Sequence, residues 1–273
     1  MVGLQGHLPQ LTSEKRGGLP ARPSSLAPVR PLAVDGLDVR YGAVLAVADV
    51  SLEVERGRIV GLLGPNGCGK TSTLRAVVGL LRPAAGRVLV NGIAQGSANA
   101  RSQIAYVPDE PDGLDELATA EYLVLVRALY RAGPEYDARA TALCAAFGVA
   151  PRLRVRLGAL SHGFRRVVSM VAAFALARPL VVVDEATAAL DPEAAIVLRE
   201  ALRALADRGA GVLVATQELA FAERVCDEVV LQSGGRVVAR GRTEDLAPLE
   251  QTFLSAVGAR ADREEVRRGL DAL

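Results

Sequence analysis

The 273-residue sequence has no tryptophan, three cysteines, two histidines and only 4% aromatic residues. Two histidines leave little room for a zinc site built on imidazole ligands. The cysteines are far apart and lack CxxC spacing, which argues against a disulfide framework and indicates a reducing compartment. Lysine is scarce as well, since Lys15 and Lys70 are the only two, yet 32 basic residues balance 31 acidic ones. A net charge of +1 argues against nucleic-acid binding through a broad basic face.

The sequence also lacks an uninterrupted apolar run that could span a membrane. The most apolar stretch, residues 167–183, is interrupted by Arg178 and Pro179 and is shorter than the roughly 20 residues that a spanning helix needs. It predicts a buried helix followed by a buried strand. Residues 1–31 mix proline, glycine, serine and isolated charges without the apolar core of a secretory signal. We predict a disordered leader there, with a basic mitochondrial-type targeting segment as the alternative.

Hydrophobic residues make up 50% of the chain, and their spacing predicts strands that alternate with helices. Residues 50–54 alternate as on a half-buried sheet, whereas residues 180–183 form a continuous apolar run typical of a buried parallel strand. Further strands are predicted at 58–63, 87–90, 211–215, 229–232 and 236–239. Helices are predicted at 71–81, 122–132, 136–147, 161–177, 194–208 and 219–225, with a helical tail from residue 245. This order favours an α/β fold with a mainly parallel sheet and a helical insertion.

The strongest motif is a glycine-rich loop that follows a predicted strand and opens a predicted helix. Residues 64–71 match G-x-x-x-x-G-K-[ST], the pattern that cradles nucleotide phosphates with backbone N–H groups. The lysine can reach the β- and γ-phosphates, and the threonine hydroxyl can hold Mg²⁺. Cys68 inside the loop is predicted to be a small filler whose backbone matters, although its place at a helix start could make it sensitive to alkylation. The predicted phosphate-binding residues are Gly64, Pro65, Asn66, Gly67, Cys68, Gly69, Lys70, Thr71 and Ser72.

A second candidate site is the acidic pair Asp184-Glu185, which follows the apolar strand 180–183. In open α/β sheets, ligands bind at the carboxyl ends of the strands, so the pair is expected near the loop. Asp184 would bind Mg²⁺ directly or through water, and Glu185 would act as the base for an attacking water. An ordinary strand followed by an acidic helix cap is the alternative.

Over residues 32–257 the order of features resembles the nucleotide-binding subunit of an ATP-binding cassette (ABC) transporter. Tyr41 matches the aromatic residue that stacks on adenine in that family. Leu160-Ser161-His162-Gly163-Phe164 occupies the place of the LSGGQ signature, and Ala189-Leu190-Asp191 resembles the D-loop. The resemblance implies that two such domains pair head to tail. Each ATP would lie between one phosphate loop and the partner's segment containing Ser161, Gly163 and Asp191.

The same resemblance implies the architecture of the chain. It predicts a P-loop NTPase core with a mainly parallel sheet, an antiparallel β subdomain and an inserted helical subdomain at about 109–165. The ATPase domain would span residues 32–257, and a helical tail would occupy residues 258–273. The family fold also implies ATP and Mg²⁺ as the bound groups.

Three motifs depart from the family pattern, at four positions. Asp109 stands where the family has its Q-loop glutamine, and its carboxylate could approach Mg²⁺ or the water bound to it. His162 and Phe164 replace the usual glycine and glutamine of the signature. Gln217 stands where the family carries its switch histidine, and an amide can donate a hydrogen bond but cannot become a cation. Slow turnover, or dependence on a partner subunit, is one interpretation of Gln217, and adequate replacement of the histidine is the other.

The leading functional interpretation is an ATPase subunit that powers a polytopic membrane permease, peripheral on the cytoplasmic face of the plasma membrane. Residues 107–111 and the short tail suggest the bacterial exporter type (ABC-2), with permease docking around residues 109–113 and the helical segment that follows. A degenerate or regulatory subunit with weak hydrolysis is the main alternative. Soluble nucleic-acid-directed ABC ATPases and small-molecule kinases fit less well. A GTPase is disfavoured because neither lysine lies in an N-K-x-D motif.

Overall fold

The structure, a computed structural model, describes residues 29–109 and 114–257. Residues 1–28 of the predicted leader, residues 110–113 of the predicted docking groove and the predicted tail at 258–273 lie outside the described residues. The strands are β1 (Leu32–Tyr41), β2 (Val44–Val54), β3 (Ile59–Leu63), β4 (Ala85–Val90), β5 (Ile93–Ala94), β6 (Ile104–Val107), β7 (Leu180–Val183), β8 (Gly211–Thr216), β9 (Glu228–Ser233) and β10 (Arg236–Arg242).

The helices vary in length from one turn to more than four turns. They are α1 (Lys70–Val77), α2 (Ala98–Ser102), α3 (Thr119–Leu129), α4 (Glu135–Ala146), α5 (His162–Ala175), α6 (Pro192–Asp207), α7 (Leu219–Val225), α8 (Thr243–Leu246) and α9 (Leu249–Val257). Short 3-10 turns occupy Ala150–Arg152 and Leu157–Ala159. Within the described ranges, none of these helices combines the length and the apolarity that a membrane crossing requires.

Six strands form the central sheet in the order β10-β9-β3-β8-β7-β6. Every neighbouring pair from β9 to β6 is parallel, and only β10 runs antiparallel to β9. Strands β3, β7 and β8 are buried along their whole length, as their continuous apolar sequences predict. Because these strands are parallel, the segments that follow β3, β6, β7 and β8 meet at one edge of the sheet, which we call the carboxyl edge.

A second, antiparallel sheet has the order β2-β1-β4-β5. Its buried face packs against α1 and one face of the parallel sheet, in a cluster that includes Val34, Leu74 and Val182. Side chains of alternate residues of a strand point to opposite faces, so Val181 and Val183 belong to the other cluster, with Met170 of α5. The parallel sheet is therefore covered on both faces, which fixes the carboxyl edge as its ligand-accessible side.

The predicted α/β class is confirmed, with one mainly parallel sheet and one antiparallel sheet. Strand β7 and helix α7 have the predicted limits. The predicted end of the first helix at Leu81 is wrong, because α1 ends at Val77. Gly79 adopts a left-handed φ of 78°, and the backbone N–H groups of Leu80 and Leu81 turn back to the carbonyl oxygen of Arg75. These hydrogen bonds satisfy a carbonyl oxygen of the last turn, and the helix ends there.

Candidate active site

The loop between β3 and α1 is shaped by glycines that have no room for a side chain. A Cβ on Gly64 would lie 2.1 Å from the backbone oxygen of Gln232. A Cβ on Gly69 would lie 2.8 Å from the oxygen of Ala46, and Gly69 also has a left-handed φ of 108°. The loop is therefore held against β9 and β2 while its N–H groups remain at the start of α1, where an anion is favoured.

Lys70 is almost fully buried, with 4% of its side chain exposed. Its ammonium group donates to the backbone oxygens of Gly64 at 2.9 Å and Pro65 at 3.3 Å. It also lies 3.1 Å from Oε1 of Glu185. The chain thus brings the loop lysine and the second acid of the pair after β7 into direct contact, although 115 positions separate them in the sequence.

Asp184 is fully buried beside the same loop. The Thr71 hydroxyl donates to its Oδ1 across 3.4 Å, and its Oδ2 has no hydrogen-bond partner among the described residues. Burial raises the pKa of this carboxyl to about 6, with Asp109 and Glu185 adding to the effect and the Thr71 hydrogen bond opposing it. A bound cation would stabilise such a carboxylate, because the group is buried and one of its oxygens has no hydrogen-bond donor.

Residues 184–189, which we call the catalytic turn, leave β7 in an unusual backbone conformation. Glu185 and Ala189 have left-handed φ values of 47° and 58°, which cost about 1–3 kcal/mol each for residues other than glycine. The Ala186 N–H donates to the oxygen of Ala215 on β8 at 3.1 Å. The neighbouring strand therefore holds the turn, and 15% of the Glu185 side chain remains exposed.

The sequence interpretation missed Arg166, a fully buried arginine on α5. One guanidinium nitrogen lies 3.1 Å from Oδ1 of Asp109 and also contacts that residue's backbone oxygen. The other donates to the backbone oxygens of Asp184 and Glu185. Arg166 is the first residue of a continuously buried stretch of α5, Arg166–Ala175, and a charged residue at that boundary gave no local signal of its burial.

Asp109 follows β6 at the carboxyl edge, and 47% of its side chain is exposed. Its carboxylate pairs with Arg166, whereas the sequence suggested an approach to Mg²⁺. Gln217 follows β8, the strand between β3 and β7, so its exposed side chain begins between the phosphate loop and the catalytic turn. Asp109 and Gln217, two of the departures from the family pattern, therefore lie on the same edge of the sheet as the phosphate loop.

Tyr41 lies at the end of β1, close to the first turn of α1. Its hydroxyl group is 3.3 Å from Oγ of Ser72, and 44% of the residue is exposed. An open aromatic ring next to the phosphate loop can stack on a planar base.

The signature segment forms a second, separate group at the start of α5. Ser161 is the N-cap of α5, and its Oγ accepts from the Phe164 N–H at 3.2 Å. A Cβ on Gly163 would lie 2.1 Å from the oxygen of Ala189, so this glycine permits contact with the catalytic turn. Asp191 is the N-cap of α6 and accepts from the Ala194 N–H at 2.7 Å. No hydrogen bond within the described residues links Ser161 or Asp191 to the phosphate loop.

Cys68 does not have the exposure that alkylation requires. The residue is 4% exposed, and burial raises the pKa of its thiol despite the opposing charge of Lys70. Because the thiolate is the reactive form, the expected sensitivity to alkylating reagents is not supported. Its thiol instead packs close to Gly64.

The fold and the Lys70, Thr71, Asp184 and Glu185 constellation define a P-loop nucleotide-binding protein. Residues 47–188 match the family model described as ABC transporter. The chain is 34% identical over 218 residues to the ABC-type transporter ATP-binding protein EcsA of Bacillus subtilis, an alignment that covers 79% of this chain and 88% of that protein. The chain belongs to the ABC transporter family, as an ATP-binding subunit with the ATPase activity of that class.

Other relatives carry names from export and resistance systems. Nod factor export ATP-binding protein I of Burkholderia orbicola is 34% identical over 233 residues, covering 81% of this chain and 74% of that protein. Daunorubicin resistance ATP-binding protein DrrA3 of Streptomyces coeruleorubidus is 33% identical over 218 residues, with 79% and 68% covered. A solved ATP-binding subunit of an ABC transporter superposes with a TM-score of 0.79 at 34% identity, covering 83% of this chain and 99% of that chain. These similarities are consistent with the exporter type.

Proposed function

We propose that this chain pairs head to tail with a second ATP-binding subunit and hydrolyses ATP to power a polytopic membrane permease. The observation that carries the proposal is the convergence of Lys70, Thr71, Asp184 and Glu185 at the carboxyl edge. The phosphates would bind the N–H groups of loop residues 66–69 and the side chains of Lys70, Thr71 and Ser72. Adenine would stack on Tyr41.

The contact between Lys70 and Glu185 suggests how substrate organises the catalytic base. Lys70 has three donors, and these now bond two backbone oxygens and the Glu185 carboxylate. A γ-phosphate in the loop would compete for those donors because it carries more negative charge. Glu185 would then be released to accept a hydrogen bond from the attacking water and take its proton. Gln217 would orient the γ-phosphate from the end of β8.

The residues present fit Mg²⁺. Thr71 offers a hydroxyl oxygen, and Asp184 offers a buried oxygen without another partner; both are hard donors of the kind Mg²⁺ prefers. Among the described residues, no group of three or more acidic, histidine or cysteine side chains is arranged to hold a metal ion, so phosphate and water would supply the remaining ligands. A bound Mg²⁺ would neutralise charge on the phosphates. Asp109 would act on this ion only through water, because its carboxylate pairs with Arg166.

The second subunit would complete each site from the signature segment. Ser161 is exposed at the N-terminus of α5, so its hydroxyl proton and the helix N-terminus can both face a phosphate of the partner's ATP. Asp191 would take part in the same interface. Closure of two such domains on ATP, and their opening after hydrolysis, would move the attached permease between two states.

Permease docking is proposed on the helical segment of about residues 109–165. Within this segment, Leu114, Val124 and Leu129 are exposed by 38%, 63% and 70%, and such apolar exposure is typical of an interaction surface. Residues 110–113 of the proposed groove lie outside the described residues. This arrangement would place the chain at the cytoplasmic face of the plasma membrane, with residues 32–257 as the ATPase domain.

Copurification tests the permease partner, and steady-state hydrolysis tests the chemistry. Chain isolated from its native membrane is expected to carry a polytopic membrane protein, identified by mass spectrometry. The purified chain is expected to release phosphate from ATP with Mg²⁺, and Lys70→Ala should abolish that release. Arg127→Gln serves as the matched control, because it removes the ion pair that Arg127 of α3 makes with Asp137 of α4. Phosphate release unaffected by Lys70→Ala would contradict the site.

The alternative proposal is a subunit that binds ATP but hydrolyses it weakly, and Gln217 is the observation that favours it. ATP binding that saturates without measurable turnover in the isolated chain would support this alternative. Turnover typical of an active ATPase would remove it.

A further inference from the structure

Arg166 joins three segments of the chain through one side chain. It belongs to α5, it binds the segment after β6 at Asp109, and it donates to two carbonyl oxygens of the catalytic turn. The residue is fully buried. Among the described residues, Asp109 supplies the only carboxylate within 4.0 Å of its guanidinium group.

Stability alone does not account for an arginine at this position. Taking a guanidinium group out of water carries a large penalty, and replacing buried ion pairs by apolar side chains is often neutral or stabilising. The Nε of Arg166 has no hydrogen-bond partner among the described residues, so the pairing is also incomplete. What arginine provides here is a rigid fork with several donors at fixed angles.

The fork acts on the backbone that orients Glu185. The carbonyl oxygen of Glu185 accepts hydrogen bonds from Arg166 and from the Ala188 N–H, the latter at 3.0 Å. These two bonds fix a peptide group next to a residue in the left-handed conformation. The orientation of that peptide determines where the Glu185 side chain points, which is towards Lys70 at 3.1 Å.

The same helix contacts the catalytic turn at a second point. Gly163 lies so close to Ala189 that a Cβ would be 2.1 Å from its oxygen. Ser161 precedes Arg166 by five residues, about 7.5 Å along the helix axis. The start of α5 therefore touches the far end of the turn, while Arg166 binds its first two residues.

We propose that Arg166 is a positioning residue that couples the signature end of α5 to the Glu185 carboxylate of the same chain. This inference rests on the proposed function, in which the signature end meets the partner's ATP. A shift of α5 on closure would move the carbonyl oxygens bound by Arg166 and thereby set the angle of Glu185. In this way, binding of ATP at one site of the dimer would change the position of Glu185 in the other site.

The experiment uses the purified chain without a permease and compares Arg166→Gln and Arg166→Lys with Arg127→Gln, which removes a paired arginine outside the ATP site. In Arg166→Gln, kcat is expected to fall by about 10- to 100-fold, because displacement of a catalytic group by about 1 Å can cost that much. KM for ATP should stay within about 3-fold, since the phosphate loop is untouched. Arg166→Lys keeps the charge but loses the fork, so it should recover only part of kcat.

Hydrogen–deuterium exchange gives a readout independent of activity. Amide exchange in Arg166→Gln should become faster in residues 185–189 and stay unchanged in β3 and β8. If Arg166→Gln does not fold, Asp109→Asn takes its place. That change removes the one carboxylate partner at a half-exposed position, and it should produce the same localised exchange with a smaller fall in kcat.

The inference is overturned if Arg166→Gln matches Arg127→Gln in kcat, or if kcat, KM and exchange throughout the core all change together. Its failure is separable from failure of the proposed function. Wild-type and Arg127→Gln protein that bind ATP but release no phosphate would contradict the proposed function. The exchange pattern of residues 185–189 would still decide the role of Arg166.

Discussion

The two halves of the candidate ATP site are built differently within one chain. On the phosphate-loop side, Lys70 and Asp184 are buried and each contacts another predicted site residue. On the signature side, Ser161 is exposed, and the side-chain hydrogen bonds of Ser161 and Asp191 among the described residues are those that cap α5 and α6. The first half carries the groups proposed to hydrolyse ATP, whereas the second half carries the groups proposed to meet the ATP of a second subunit. The difference fits the proposed head-to-tail pairing, in which the phosphate-loop half of one chain meets the signature half of a second.

Glu185→Gln is the strongest test of the phosphate-loop side. Removing the proposed base should lower kcat by about 10²–10⁴-fold, while the neutral amide still fills the space beside Lys70. ATP binding measured by calorimetry should be retained. Arg127→Gln is the control for both measurements. Retained kcat would show that Glu185 is a structural partner of Lys70 and not a base.

Asp184→Asn tests the buried carboxyl through the pH dependence of stability without metal. The folded pKa of about 6 exceeds the ordinary 3.8, so the folded state binds more protons than the unfolded state between these values. The wild-type protein should therefore lose up to about 3 kcal/mol of unfolding free energy as pH rises from 4 to 7. Denaturant unfolding in EDTA should show Asp184→Asn as more stable at pH 7, with the gap closing near pH 4. A gap independent of pH would contradict the burial argument.

Ser161 substitutions test the signature side. Ser161→Ala should lower kcat by about 10²-fold through loss of one donor to the partner's phosphate, and should cost about 1 kcal/mol of stability through loss of the helix cap. Ser161→Asn keeps the cap, so its unfolding free energy should match wild type while kcat still falls. Equal activity of Ser161→Asn and wild type would show that Ser161 acts only as the N-cap of α5.

Mixing two impaired variants sharpens the same comparison. Lys70→Ala damages the phosphate-loop half and Ser161→Ala damages the signature half. In a mixed head-to-tail dimer, both defects fall in one site and the other site is intact. Phosphate release should return on mixing, and each variant incubated alone is the control. If both halves of a site came from one chain, mixing would restore nothing.

The smallest effect is expected at Gln217, which lies between the two groups of residues that follow β3 and β7. A charged histidine donates a stronger hydrogen bond than an amide, so Gln217→His should raise kcat by about 10-fold or less. Steady-state phosphate release at saturating ATP measures the change. Unchanged or lower turnover would show that Gln217 substitutes adequately.

Motifs with local causes could be predicted from the sequence, and contacts between distant segments could not. The loop at residues 64–71 and strand β7 follow from glycine spacing and a continuous apolar run. The burial of Arg166 depends on β6, α5 and the catalytic turn meeting in space, and a charged residue beside Arg165 gave no local sign of it. The Lys70 and Glu185 contact likewise needs the register of β3, β8 and β7. Helix α1 ends at Val77, before the predicted Leu81, because Gly79 adopts a left-handed conformation that the apolar residues around it do not indicate.

The mass of the Glu185→Gln variant in solution tests the central claim most directly, since slow hydrolysis preserves bound ATP. Light scattering should give the single-chain mass of 28.6 kDa without nucleotide. With ATP and Mg²⁺ it should give twice that mass, and adding Ser161→Ala should prevent the change. A mass that stays at 28.6 kDa when ATP binding is saturated would contradict the account.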